Sequence, residues 1–201
     1  MTSILKVDTI QDADGNNIIN ESGNTITIGA SGDTTNIIGT LQNDGAAVGW
    51  VNTPAVSAYA NSNSTISDNT LTKVEFDAEE YDTDSAFDTS TYRFTVPSGK
   101  AGKYFIHASI YLYGNNNDEK LKGFDIYKNG ASVRRTENFS QFSTGNGSGG
   151  NSTNTAVLDL SVADYIEIFA KIDVNSGTAN IYWATGTGSR YTVLHIFKLV
   201  E

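Results

Sequence analysis

The chain has 201 residues, no cysteine and a formal net charge of −10. Its length is enough for one β domain with an appendage or for two small domains. The absence of cysteine excludes disulfides, thiolate metal sites and a cysteine nucleophile, and the acidic charge argues against a nucleic-acid partner, which would require clustered lysines and arginines. No stretch approaches the ~20 apolar residues of a membrane helix and the start lacks a signal-peptide pattern, so we expect no membrane insertion.

Residues 1–17 combine an amphipathic segment with a tight turn. The segment covers residues 4–10, and Asp14-Gly15 then supplies the positive φ angle of the turn. The Asp-x-Asp-Gly pattern at residues 12–15 also resembles the start of a calcium loop. The glycine falls too early for an EF-hand and no bidentate glutamate closes the loop, so a plain turn is favoured over calcium.

Residues 18–50 are quasi-repetitive. Ile18-Ile19-Asn20, Ile26-Thr27-Ile28-Gly29 and Ile37-Ile38-Gly39 recur about every nine or ten residues, and each predicts a short strand followed by a turn. So few aliphatic residues cannot form a core in one chain, which predicts an intertwined β stem of three chains. The alternative, a flexible Gly/Asn linker, fits poorly with isoleucines at steady spacing. The residues predicted to lie near the shared axis are Ile26, Ile28, Ile37 and, at the junction with the next domain, Trp50.

Residues 51–201 read as strands throughout. Within 103–113 both alternating faces are apolar or aromatic, so one is predicted to face the domain core. The other, which carries Phe105, Tyr111 and Tyr113, is predicted to face a neighbouring subunit. Many short strands without a helical period predict an all-β, antiparallel sandwich or jelly roll. The predicted strands are 54–60, 73–76, 92–96, 103–113, 121–127, 131–135, 165–174 and 191–200.

The order of several segments from residue 54 to residue 201 resembles that of a C1q-like domain. The segments are Lys73-Val74-Glu75-Phe76, Phe87-Asp88, Tyr92-Arg93-Phe94-Thr95-Val96-Pro97, Gly102-Lys103-Tyr104-Phe105, Ile126-Tyr127-Lys128-Asn129-Gly130 and Asp164-Tyr165-Ile166-Glu167. The resemblance implies a jelly roll of the C1q and TNF type that assembles as a homotrimer. The chain departs from the family pattern at residues 190–195, where the usual closing motif is replaced.

The opening of the chain, residues 3–13 (SILKVDTIQDA) and 16–20 (NNIIN), looks like the start of structural proteins of marine and cyanobacterial tailed phages. Such openings resemble virion-docking segments placed before interchangeable heads. The resemblances together imply a virion structural protein on the particle surface. Residues 1–17 would dock to other virion proteins, 18–50 would form the stem, and 51–201 would form an exposed head for host-surface attachment. The alternative is a capsid decoration protein that stabilises the shell without binding a receptor.

Catalytic patterns are weak, so we expect neither an enzyme nor a cofactor. The two histidines, His107 and His195, lie in predicted strands beside aromatic residues and away from any nucleophile elbow. The acidic stretch at residues 75–88 could serve a glycosidase or collect calcium, but a solvated face is favoured.

Aromatic and amide side chains near polar loops are the candidates for recognition. Tyr182, Trp183 and Tyr191 flank the Gly-rich turn 185–189, and Asn146 and Asn151 lie in the polar loop 143–153. Aromatic faces beside amides suit glycan stacking, and loops on a rigid β scaffold commonly carry binding, so these residues are predicted to contact a host-surface glycan or protein. Core or subunit-interface packing is the alternative for each aromatic residue.

Overall fold

The computed structural model is all-β over the residues it describes. None of them forms a helix that is long and apolar enough to cross a membrane. For residues 17–22, 25–27, 42–43 and 46–47 only the backbone is described. The described residues are 9–11, 13–15, 17–22, 25–28, 31–36, 42–43, 46–47, 52–114, 119–139, 149–175, 177–183 and 189–200.

The chain divides into two compact units, Met1–Trp50 and Val51–Glu201. In the first unit, three strands form an antiparallel sheet in the order β1-β2-β3, and two more form a short hairpin. The turn before β2 contains Gly15 with a φ of 83°, as Asp14-Gly15 predicts. Two of the three isoleucine repeats fall in β2 and β3, and the third lies outside the described residues. The strands are β1 (Thr9–Gln11), β2 (Asn17–Ser22), β3 (Thr25–Ile28), β4 (Gln42–Asn43) and β5 (Ala46–Ala47).

Among the described residues of the second unit, thirteen strands form two antiparallel sheets. They are β6 (Ala55–Tyr59), β7 (Ser64–Ile66), β8 (Thr72–Lys73), β9 (Ala78–Asp82), β10 (Phe87–Asp88), β11 (Arg93–Thr95), β12 (Gly102–Gly114), β13 (Glu119–Lys128), β14 (Ala131–Phe139), β15 (Gly150–Leu160), β16 (Tyr165–Val174), β17 (Ala179–Tyr182) and β18 (Val193–Val200). The six-stranded sheet has the order β10-β11-β16-β13-β14, with β8 also paired to β16. The seven-stranded sheet has the order β7-β17-β12-β18-β6-β9, with β15 on the opposite edge of β12.

The core lies between these two sheets and confirms the predicted alternation. From β12, Tyr104, Ile106 and Ile110 point inward and are fully buried, and β13 and β16 contribute buried phenylalanine, isoleucine and alanine residues from the other side. Burying one large apolar side chain contributes about 1.5–3 kcal/mol. A one-residue slip of a strand would turn its whole apolar set to solvent, so the alternation fixes which side chains point away from the core.

The hairpin between β13 and β14 depends on the turn that joins the strands and on a close contact between their backbones at Gly123. Asn129 and Gly130 have φ angles of 52° and 79°, as the Asn-Gly pair predicts. The Asn129 side chain donates to Asp164 Oδ1 (2.6 Å) and accepts from the Tyr165 amide (2.9 Å), which ties the turn to the start of β16. At Gly123 a Cβ atom would lie 1.9 Å from the Thr136 carbonyl oxygen, so only glycine fits there.

Candidate functional site: an aromatic face on the seven-stranded sheet

The outward face of the seven-stranded sheet is unusually rich in rings. Alternation places the residues between the buried positions of β12 and β18 on this face, where they are partly exposed. No lysine, arginine, aspartate or glutamate occupies its positions 105, 107, 109, 111 and 113 on β12 or 193, 195 and 197 on β18. We call this surface the aromatic face and define it by Phe105, His107, Tyr111, Tyr113, Val157, Tyr182, Tyr191, His195 and Phe197.

One end of the aromatic face is apolar. Phe105 lies directly opposite Phe197 across β12 and β18, and their rings stack with centroids 5.0 Å apart. On the other side of β12, Val157 of β15 lies opposite Phe105 and is 54% exposed. Large apolar side chains in a continuous exposed group are a common sign of a contact surface.

The middle of the aromatic face holds the two histidines of the chain. His107 and His195 are register partners, and their rings are nearly parallel, with an interplanar angle of 16° and centroids 5.9 Å apart. Thr155 lies opposite His107 on β15, and Ser57 lies opposite His195 on β6. Burial, followed by the charge of His107, lowers the pKa of His195. The neutral form of His195 is therefore favoured at neutral pH.

The other end of the aromatic face is a cluster of four tyrosines. Tyr111 stacks on Tyr191 with ring centroids 5.0 Å apart, and Tyr182 lies 6.0 Å from Tyr111 and 5.2 Å from Tyr113. Burial raises the pKa of Tyr111. Asn151, the register partner of Tyr111 on β15, is exposed beside the cluster. Residues predicted for subunit contact and residues predicted for recognition thus share one continuous surface.

A cleft of about 470 Å³ borders the aromatic face at β6 and β9. Arg190 lies over the Tyr59 ring at 3.6 Å from its centroid and forms an ion pair with Glu80. Ser57 Oγ donates to Glu80 Oε2 at 2.9 Å. The cleft is lined by Ser57, Tyr59, Glu80, Arg190, Val193 and His195.

This cleft contains the residue types of a hydrolase triad without the required connections. In such a triad the serine hydroxyl bonds to the histidine, and the carboxylate orients the histidine from the other side. Here the Ser57 hydroxyl bonds to Glu80 instead, and Glu80 is shared with Arg190, so His195 is not arranged to activate the serine. The geometry gives no support for nucleophilic catalysis at this place.

The outward face of the six-stranded sheet has a different character, because its charges are paired. Glu167 of β16 points outward but is only 5% exposed, since Lys73 Nζ (2.6 Å) and Arg93 Nη2 (2.8 Å) cover it. Burial opposes its ionisation, but hydrogen bonds from these two cations outweigh burial and lower the pKa of Glu167. On β13, the buried Asp125 accepts two-pronged hydrogen bonds from Arg135.

Several carboxylates of the acidic stretch at residues 75–88 form hydrogen bonds or ion pairs within the chain. The Ser90 hydroxyl and amide and the Thr91 hydroxyl hold the pKa of Asp88 at about 2. Asp84 pairs with Lys100 at 3.1 Å, and Glu80 pairs with Arg190. Among the residues with described side chains, no three acidic or imidazole groups are arranged to hold a metal ion.

The remaining predicted site residues are dispersed. Trp183 follows β17 and its amide donates to Asn63 Oδ1 at 3.0 Å, while Ile28 ends β3 and is 54% exposed. Ile26 lies in β3, with only its backbone described. Ile37, Trp50 and Asn146 lie outside the described residues. The roles assigned to all of these residues stay predictions.

Phe197 and Val157 are members of the aromatic face that the sequence reasoning missed. The signal for Phe197 was available, because Leu194 and Ile196 alternate with Val193, His195 and Phe197 just as in 103–113. Val157 had no comparable signal, since its position beside Phe105 depends on which strand pairs with β12.

Comparisons with known proteins bear on the fold. The sequence matches no protein-family model and no curated protein. Three solved structures resemble it. The globular domain of zebrafish complement 1qA protein has 17% identity and a TM-score of 0.50, with 73% of this chain and 98% of that chain covered. Eiger TNF from S. frugiperda has 13% identity and a TM-score of 0.54, with 73% and 92% covered. Murine APRIL has 13% identity and a TM-score of 0.48, with 72% and 98% covered.

The first two structures confirm the predicted fold class, an antiparallel jelly roll of the C1q and TNF type. At these identities the likeness concerns the fold alone. The resemblance of the opening residues to phage structural proteins finds no support in these comparisons and stays a prediction.

Proposed function

We propose that residues 51–201 form a homotrimeric, non-enzymatic head that associates through the aromatic face. The observation that carries the proposal is the stacked and partly exposed ring cluster from Phe105 and Phe197 to Tyr111 and Tyr191. Monomeric proteins rarely expose large continuous apolar patches, and stable interfaces are rich in aromatic residues and poor in charge at their centre. A second and a third copy of the chain are the partners that would cover this surface.

Two further considerations favour three copies. The isoleucine repeats of residues 18–50 need neighbours to bury their side chains, and three chains wound around a shared axis would supply them. The resemblance of residues 54–201 to C1q-like domains implies threefold assembly. An assembly of this kind would be expected to bury more than ~2,000 Å² in all.

We further propose that the trimer belongs to a tailed-phage virion. In this proposal residues 1–17 dock to other virion proteins, 18–50 form the stem, and the head is exposed on the particle for attachment to a host-surface glycan or protein. The support is the resemblance of residues 3–20 to openings of phage structural proteins, together with the net charge of −10, which suits a soluble surface array. Several heads per particle would convert weak single-site contacts into useful adhesion.

Measurement of molecular mass in solution tests the trimer. The full chain at low micromolar concentration should sediment with three times the 21.6 kDa chain mass. A soluble, folded species with the mass of one chain would overturn the proposal.

The particle role needs a separate experiment. Phage lacking residues 51–201 of this protein should assemble but adsorb more slowly to host cells, and a chain lacking residues 2–17 should stay trimeric but be absent from particles. Unchanged adsorption together with a shell that breaks at lower temperature would favour the decoration alternative. Normal incorporation without residues 2–17 would contradict the docking proposal.

A further inference from the structure

The two histidines are placed where a change of charge would matter most to association. His107 and His195 are the only histidines of the chain, and the register of β12 and β18 puts them side by side. They lie between the stacked pair of Phe105 with Phe197 and the tyrosine cluster. Any partner that covers both ends of the aromatic face also covers these two imidazoles.

We propose that His107 and His195 make self-association through the aromatic face depend on pH, so that the copies separate as the imidazoles become protonated. This inference rests on the proposed homotrimer. The two rings stack as flat surfaces, and the neutral form of His195 is favoured at neutral pH. Imidazole side chains gain charge as pH falls from about 8 to about 5, and the separated chains, in which both histidines are only partly buried, bind protons more readily than the assembly.

Two physical effects act in the same direction. Covering an imidazolium removes it from water, which costs free energy unless a counter-charge is present. Two imidazolium rings with centroids 5.9 Å apart also repel each other, and threefold symmetry would bring three such pairs to one assembly. The lowered pKa of His195 already has these two causes in the single chain, burial first and His107 second.

The surrounding groups offer little compensation for the added charge. Thr155 of β15 and Ser57 of β6 flank the pair as uncharged register partners. The acidic group that shares the cleft with His195 is Glu80 of β9, and it is engaged by Arg190 and by the Ser57 hydroxyl. Tyr59 lies under Arg190, and Tyr81 is the register partner of Ser57. Among the described residues that line the cleft, Glu80 is the one carboxylate.

The sign of the effect follows from linkage. Association lowers the imidazole pKa values, so the neutral, associated form is favoured towards about pH 8 and is lost as pH falls towards about 5. Because burial already lowers the pKa of His195 in the single chain, its contribution is lost in the lower part of this range. Each imidazole whose pKa falls by one unit on association weakens binding up to tenfold once it is protonated. With the histidines of three chains involved, we expect the association constant to fall by at least about a hundredfold between pH 7.5 and pH 5.5.

Sedimentation of the full chain from pH 8 to pH 5, at constant ionic strength and with EDTA present, tests the inference. The trimer should persist at pH 7.5 and dissociate towards pH 5.5, while far-ultraviolet circular dichroism shows that the released chains remain folded. The H107Q/H195Q variant, which keeps polar groups of similar size but cannot be protonated, should stay trimeric at pH 5.5. The single variants H107Q and H195Q should each show an intermediate pH dependence and guard against a folding failure of the double variant.

The outcomes separate this inference from the proposed function. A single-chain mass at pH 7.5 both with and without EDTA would contradict the homotrimer itself. A wild-type trimer whose mass is unchanged down to pH 5.5 would overturn only the histidine inference, as would dissociation that persists unaltered in H107Q/H195Q. If EDTA alone dissociates the wild-type trimer at pH 7.5, a metal ion bridging the imidazoles holds the copies together, and the inference is wrong.

Discussion

The outward faces of the two sheets are built from strands of similar length but complete their interactions in different ways. On the six-stranded sheet, Glu167 is held by Lys73 and Arg93, and Asp125 is held by Arg135. On the seven-stranded sheet, Phe105 and Phe197 stack on each other and still expose part of their surface. The first face pairs its buried carboxylates within one chain, and among the described residues its packed rings are the single pair Tyr127 and Phe169. The second face carries a continuous set of partly exposed rings without charged side chains at its centre.

This difference separates residues that stabilise the single chain from residues that are free to serve association. A buried carboxylate must be paired, so the ion pairs of the six-stranded sheet belong to the fold. Rings on the aromatic face are tolerated in one chain but gain more when a partner removes them from water. Substitutions on the two faces should therefore alter different measurable quantities.

The largest effect is expected from placing a charge on the aromatic face. Phe105→Lys should reduce the sedimenting mass from three chains to one at low micromolar concentration. An unpaired charge covered by an interface costs several kcal/mol for each copy, and every 1.4 kcal/mol is a factor of about ten in the equilibrium. Circular dichroism should show that the released chain keeps its β signal, because the core side of β12 is unchanged.

Val133→Lys is the matched control for this charge. Val133 is also an exposed apolar side chain, 38% exposed on β14 of the other sheet. The same substitution there should leave the mass at three chains. If Phe105→Lys is as trimeric as Val133→Lys, the aromatic face is not the association surface.

An intermediate effect is expected from breaking the ion-pair cluster on the six-stranded sheet. Glu167→Ala should lower the free energy of unfolding by about 2 kcal/mol, because it leaves two cations without their shared partner. The cost stays below that of a fully buried pair, since the Lys73 and Arg93 side chains are 26% and 38% exposed and can turn to water. Urea unfolding at fixed chain concentration measures this loss, and the sedimenting mass should not change.

Glu75→Ala provides the reference for loss of a carboxylate, because Glu75 is exposed. It should shift the free energy of unfolding by less than about 0.5 kcal/mol. Equal urea midpoints for the two variants would show that Glu167 contributes nothing beyond a surface charge.

The smallest effect on the free energy of unfolding is expected from substitution of Asp164, and it is best measured as a function of pH. Hydrogen bonding from the Asn129 side chain, followed by Lys128 and the Ser161 amide, lowers the pKa of Asp164 to about 2. Because the folded-state pKa lies below the unfolded value of about 3.9, the stabilisation is complete above about pH 4 and is lost as pH falls towards 2.

Asp164→Asn should therefore flatten the fall in unfolding free energy between about pH 4 and pH 2, at some cost in stability at pH 7. Asn129→Gly keeps the positive φ angle but removes the largest of the three causes, so it should move the acid transition to higher pH. Identical acid transitions in the wild type and in Asp164→Asn would show that this carboxylate is not coupled to folding.

Most of the long strands were predictable from local pattern. The two-residue period of 103–113 separated buried from outward residues correctly, and Asn129-Gly130 marked its hairpin. The strand β15 was not predicted, and residues 150–153 of the predicted polar loop 143–153 lie in it. The segment 73–76 was only partly right. Pairing stops at Lys73 of β8, yet Val74 and Phe76 are fully buried. An alternating apolar pattern predicts which side chains are buried. It does not show that the segment is hydrogen-bonded to a neighbouring strand along its whole length.

Glu119 shows what local pattern could not reveal. It begins β13 and is 4% exposed, with Oε1 accepting from the amides of Gly114 (3.1 Å) and Gly149 (2.9 Å) and Oε2 bound to Lys122 (2.8 Å). The sequence around Glu119 is polar and predicts an exposed carboxylate. The carboxylate is buried because a segment distant in sequence packs over it. That segment contains Gly149, which lies thirty positions further along the chain and whose amide donates to Glu119.

The all-β class, the direction of most side chains and the exclusion of thiol chemistry follow from the sequence, because they depend on composition and on the regular geometry of a strand. The folded arrangement of strands is what brings His107 to His195, Tyr111 to Tyr182 and Tyr191, and Lys73 and Arg93 to Glu167. These partners lie 71 to 94 positions apart along the chain. Their meeting depends on the order and register of strands, which are set by packing the whole core and not by any local pattern.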